Sequence, residues 1–212
     1  MNLGEIRTLM SDILNRDDMT DAQADQWITM ALRRIQRWVR IPSQEVEQLY
    51  TVGETHIGFA IPSDYIMTKA FYLDADGAGP LDTISLQEYI RRKATTGTSA
   101  SIPTSYTREG SYMQVYPVPT EGQVFKLIYW AEHEDMLVDT DENLLARVAP
   151  DLIIYTALIY AGNFYVDERA EQWKQMAGEF VAELENQAEI AEASGLNMRV
   201  QPMYGNETGA FY

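Results

Sequence analysis

Asp139, Asp141 and Asn143 alternate along DTDENLL, like the oxygen ligands at the first, third and fifth positions of a calcium-binding loop. The rest of that pattern is missing. The sixth position, where such a loop turns on Gly, is Leu144, and the twelfth, where a bidentate Glu closes the coordination shell, is Pro150. The segment therefore reads as a solvated acidic linker running into a helix start. A zinc site would need both histidines of the chain, His56 and His133, together with carboxylates, and nothing in their spacing supports one. With no cysteine there is no thiolate nucleophile, thiolate metal site or disulfide. No G-x-S-x-G elbow accompanies a histidine either. His56, in a predicted strand near a glycine, reads as structural, and His133, between Glu132 and Glu134, as a surface histidine.

Thirty-two Asp and Glu residues always allow an acidic pair to be imagined as a glycosidase acid and nucleophile about 5 Å apart, but no spacing selects one. A hydrolase acting on polysaccharide or cell wall is thus the alternative reading, with no residue assigned to it. Asp76 to Gly79 (DGAG) lacks the third glycine of a dinucleotide loop and runs into Pro80, so it reads as a turn. No catalytic residue, cofactor site or metal site emerges. The remaining chemistry is basic. Arg33, Arg34, Arg37 and Arg40 suit DNA phosphates, an acidic partner face, or a solvated helix end where cations complement the dipole. The last of these readings also covers Arg91, Arg92 and Lys93.

The elements that must position these residues fall into three stretches. A short helix is predicted near Leu3 to Leu14, and a longer one from Thr20, whose T-x-x-Q with Gln23 fits a capping box. Ala24, Trp27, Ile28, Ala31, Ile35, Trp38 and Val39 form its apolar stripe, and Pro42 ends it by Ile41. From about Val46 to Ala131 the period changes to two, predicting a β-domain of about six strands. Its clearest hairpin joins Ser105–Arg108 to Tyr112–Tyr116 through Glu109-Gly110, and Ser85 with Glu88 starts a short helix within it. After the acidic linker, helices near Pro150 to Phe164 and Glu168 to Ala193 form a hairpin, with Pro150 at a first helical position, Asp167 as N-cap and Gly195 as C-cap. The run LIIYTALIYA is apolar on nearly every face, so the N-terminal helices, a neighbouring subunit, or both must cover it.

The fold class is α+β: an antiparallel helical bundle from the N- and C-terminal helices (residues 1–42 and 140–195), interrupted by a small antiparallel β-domain (43–139). An extended C-terminal tail (196–212) follows. It shows no period but holds Leu196, Met198, Arg199, Met203, Tyr204, Phe211 and Tyr212, the pattern of a segment ordered by a partner or of a frayed terminus.

Hydrophobic residues at 46% and charged residues at 23% describe an ordinary folded chain. Sixteen basic against 32 acidic side chains leave a net charge of −16, which argues against a protein that coats nucleic acid. Residues 1–42 hold six acids and six bases, so the acidic excess lies entirely after Pro42, as if two surfaces met different neighbours. MNLGEIRTLMSD has no apolar core of a signal peptide, and the stretch from Leu152 to Ala161 is far shorter than the ~20 residues of a membrane span. These features predict a cytosolic product that is assembled into something larger.

The order of segments resembles the phage head-to-tail adaptor (connector) family, including the tail tubular protein A type. The matching landmarks are the N-terminal helix pair, IPSDYIMTKAFYLD, GPLDTISLQEYIRRKA, PTSYTREGSYMQVYPVP, VFKLIYWAE and, most of all, ARVAPDLIIYTAL followed by DERAEQW. The resemblance implies a structural, non-enzymatic virion protein at the portal vertex or neck. It also implies a homo-oligomeric ring of about twelve copies under the portal protein. The C-terminal segment would dock on the portal, and a tail nozzle or tail-completion protein would bind below. DNA would pass through the channel without specific binding, and no membrane is involved.

Overall fold

The computed structural model describes residues 1–41, 44–54, 58–75, 78–96 and 101–193. Two helices open the chain, α1 (Leu3–Leu14) and α2 (Asp21–Trp38), each begun by a capping box, Asn2 with Glu5 and Thr20 with Gln23. Leu3, Ile6, Met10 and Leu14 of α1 recur at helical spacing and are buried. The α2 stripe buries Ala24, Trp27, Ile28, Ala31, Leu32 and Ile35. Trp38 departs from the expected stripe: it is 41% exposed, beneath the Arg34 guanidinium. The helix stops at Trp38, because Val39 turns extended and tucks its side chain into the core.

The middle of the chain holds β1 (Glu45–Thr51), β2 (Phe59–Ala60), β3 (Tyr65–Leu73), β4 (Asp82–Thr83), α3 (Leu86–Thr96), β5 (Ser105–Glu109), β6 (Tyr112–Tyr116) and β7 (Val124–Ala131). They form two sheets, ordered β1-β7-β3 and β2-β6-β5-β4. All the pairs are antiparallel except β4–β5, which is parallel. A parallel pair needs a crossover connection, and α3 supplies it. β7 shows the period of two: Phe125, Leu127, Tyr129 and Ala131 are buried, while Val124, Lys126, Ile128 and Trp130 lie on the other face. The β5–β6 register pairs Glu109 with Tyr112, so the hairpin turns on Gly110-Ser111, one residue later than predicted, with Gly110 in the left-handed region at φ 61°. Phe59, Phe71 and Phe125 meet at ring distances of 4.9 to 5.7 Å in the core of this unit.

The chain then forms α4 (Leu144–Val148), α5 (Pro150–Tyr165) and α6 (Ala170–Ala193). Pro150 opens α5 as predicted, and α4, capped by Asn143, is a turn of helix the periodicity did not single out. One apolar core gathers α1, α2, α4, α5 and α6; a second lies between the sheets. Leu152, Ile153, Ile154, Ala157, Leu158, Ile159 and Ala161 of α5 are all buried within a single chain. The all-round apolar character of α5 is thus satisfied by its own bundle and calls for no neighbouring subunit. Gly162 lets the hairpin close: a Cβ there would lie 2.8 Å from the Trp173 ring and 2.9 Å from Ala170.

Candidate functional site

The acidic linker resolves into separate structural duties. Asp139 accepts a hydrogen bond from Arg7 Nη1 at 3.1 Å. Asp141 Oδ2 accepts from the backbone N–H groups of Leu137 and Val138, at 2.8 and 2.9 Å, which hold its carboxyl below the usual carboxylate range. Asn143 Oδ1 accepts from Ala146 N while its Nδ2 donates to Glu134 O. The three residues of the calcium-like opening therefore serve an ion pair, a turn and a helix cap. Among the described residues no group of three or more His, Asp or Glu side chains could hold a metal ion. The linker also completes α1, since Gly4 N and Leu3 N, unpaired at a helix start, donate to Asp139 O and Asp141 O.

His133 corrects the expectation of a surface histidine. It is half-buried, between a cleft of about 290 Å³ bordered by Gln44, Glu142, Asn143 and Arg147 and another of about 270 Å³ bordered by Arg33, Gln36, Arg37 and Asp135. Burial pushes its pKa down to about 4, so the ring is neutral at pH 7. Among the described residues neither cleft is lined by a Ser or Thr hydroxyl that it could activate. His56, Asp76 and Gly77 lie outside the described residues.

The four arginines of α2 separate by role. Arg40 folds back on the helix end and donates to Val39 O at 3.0 Å and to Gln36 O, as the helix-dipole reading requires. Arg33 reaches Asp135 at 3.5 Å, and Arg34 lies over the Trp38 ring at 4.2 Å. Arg37 is exposed, with no ion pair among the described residues. Arg91 and Arg92 converge on Glu88, whose carboxyl they lower, and Lys93 lies over Tyr89, so this basic run is a self-contained helix face.

Three connections escaped the sequence because their partners are remote in the chain. Arg7 donates to Asp25 and Asp139 and lies 3.6 Å from Asp21, with only 14% of its side chain exposed. Arg169 donates to Ile13 O and Leu14 O, satisfying the last carbonyls of α1, and its salt bridge pushes the Asp167 pKa down to about 2. Gln44, buried at the junction of the two cores, accepts from Ile41 N and donates to Ala131 O. No local pattern announces any of them. The C-terminal residues singled out in the sequence, Leu196, Met198, Arg199, Met203, Tyr204, Phe211 and Tyr212, lie outside the described residues.

No curated protein matches the chain. The family model described as SU10 adaptor protein, however, matches residues 1–201, landmarks that span the helix pair, the β-strands and the helical hairpin described above. The chain belongs to the SU10 adaptor protein family of phage head-to-tail adaptors.

Proposed function

We propose that the protein is a structural, non-enzymatic adaptor whose copies form a ring of about twelve between portal and tail. It closes the portal vertex after packaging and presents the surface on which a tail nozzle or tail-completion protein assembles, in the neck of the virion. Residues 1–42 and 140–195 act as a helical bundle domain and 43–139 as a β-domain. The observation that carries this reading is membership of the adaptor family over residues 1–201. The net charge of −16 favours it, since an acidic ring would let DNA pass without gripping it. Among the described residues no helix is long and apolar enough to cross a membrane, so none anchors the protein by a span.

The portal contact is assigned to the tail, with Leu196, Met198, Met203, Tyr204, Phe211 and Tyr212 as apolar anchors and Arg199 pairing with an acidic group. Ordering the tail costs roughly 1 to 2 kcal/mol per fixed residue, so each copy binds modestly. A ring multiplies that binding through effective concentration. Size and mass measurement of the purified protein with portal particles tests the ring, and a chain that stayed monomeric there would sink it. Truncation after Gly195 should leave both cores folded and remove most portal binding. Portal particles that took up the truncated chain as well as the full one would move the contact to the helical bundle.

A further inference from the structure

α2 and α6 flank α5 on opposite sides. Tyr155 and Gly162 face α6, the first with its ring 5.6 Å from that of Phe180, the second against Trp173. Phe164 and Tyr160 face α2, through Trp27 at 5.7 Å and Arg34 at 5.8 Å. The nine steps from Tyr155 to Phe164 turn the helix through roughly 900°, which leaves the two sides about 180° apart. The outer faces of α2 and α6 therefore look away from each other.

These faces carry opposite charge. On α6, Glu179, Glu183, Glu185 and Glu189 are exposed and make no ion pair among the described residues. Glu179 with Glu183 and Glu185 with Glu189 stand four apart, where like charges repel. On α2, Arg37 is unpaired among the described residues, Arg33 has only the 3.5 Å contact with Asp135, and Met30 and Trp38 are each 41% exposed. Between the glutamates, Gly178 and Ala182 of α6 are exposed and small, and a Cβ on Gly178 would meet nothing within 4 Å.

Height matters as much as sign. Arg34 is level with Tyr160 and Phe180 with Tyr155, about 7.5 Å apart along α5 at roughly 1.5 Å per residue. Because Trp27 meets Phe164 while Arg34 meets Tyr160, α2 runs antiparallel to α5, and Arg37 continues towards the Tyr155 level. Arg37 and Glu179 thus stand at nearly one height on the two sides of the bundle, with Glu183 about 6 Å further along α6. A head-to-tail contact closes into a ring only when its operator is a rotation without a rise, and equal height meets that condition with α5 along the ring axis.

We infer that the Arg33–Arg34–Arg37–Trp38 face of one copy docks on the Glu179–Glu183 face of α6 in the next copy. The inference rests on the ring reading and names its subunit contact. It is tested by a charge swap in the full-length protein, with ring formation on portal particles read by size and mass. Arg33→Glu with Arg37→Glu, or Glu179→Lys with Glu183→Lys, should each weaken ring formation at least about tenfold at unchanged melting temperature, because like charges then face each other. All four substitutions in one chain should restore it, since every contact again joins opposite charges. Rings unmoved by either reversal would overturn this contact while leaving the ring reading intact, with the arginines free to meet DNA phosphate. Reversals that do not rescue one another would overturn it as well. A wild-type chain that forms no ring at all would remove the ring reading and this contact together.

Discussion

Thr156 places a hydroxyl in the middle of α5 with no exposed surface and no hydrogen-bond partner among the described residues. A buried polar group that has lost its water without gaining a partner costs about 1–3 kcal/mol, and valine has nearly the same shape. Thr156→Val should raise stability by about 1 kcal/mol, a melting increase of roughly 2–4 °C for a chain of this size. Unchanged or lower melting would show that the hydroxyl is engaged. His133 shapes the acid limb of stability. Its pKa lies at about 4 in the fold against 6.5 in the free side chain, so between these values the unfolded chain binds more protons. The stability it confers is complete above pH 6.5 and is lost as the pH falls towards 4. Denaturation midpoints measured across that window should fall less steeply for His133→Gln, and parallel curves would remove His133 as the cause. Both residues look ordinary in the sequence, because burial and the lack of a partner are set by packing from other elements.

At the scale of elements, the local signals were legible. The Thr20–Gln23 capping box, Pro150 at the first turn of α5 and the period of two in β7 lie within a few residues and act through local geometry. Where the reading slipped, a remote contact had intervened. Trp38 fits the α2 stripe by spacing yet lies outside, since Val39 leaves the helix and takes the buried place. The parallel β4–β5 pair depends on a crossover through α3 and not on strand composition. The core position of α5 yields a sharp expectation. Ile154 is 2% exposed, so Ile154→Asp would bury a charge without a partner and should destabilise by about 4 kcal/mol or more. Chemical denaturation measures this, and an unshifted midpoint would contradict the buried position of α5.

At the scale of the whole molecule, Arg7 ties α1 to α2 and to the linker that returns from the β-strands. Asp21, Asp25 and Asp139 gather around it, so its loss removes charge-assisted hydrogen bonds and leaves three carboxylates facing one another. Arg7→Met, which keeps the aliphatic bulk, should cost about 1.5–3 kcal/mol, with the loss shrinking as salt screens the carboxylates. Equal stability of variant and parent at low salt would show that the clamp contributes nothing. The same scale holds the opposition of charge between α2 and α6, which the sequence displays only as an arginine run and a glutamate-rich helix far apart in the chain.

By itself the sequence determined what depends on near neighbours: the longer helices, the cap at Thr20 and the Pro150 start of α5, the alternation of the strands, the α+β class, the acidic excess, and an order of segments that resembles the adaptor family. Tertiary structure alone decided which apolar faces are covered, that α5 is enclosed by its own chain, that His133 is held neutral, and that Arg7, Gln44 and Arg169 join elements up to 156 residues apart. The physical reason is range. Caps and periodicity act over one or two turns of chain, whereas burial, desolvation and ion pairing depend on groups that only the completed fold brings together.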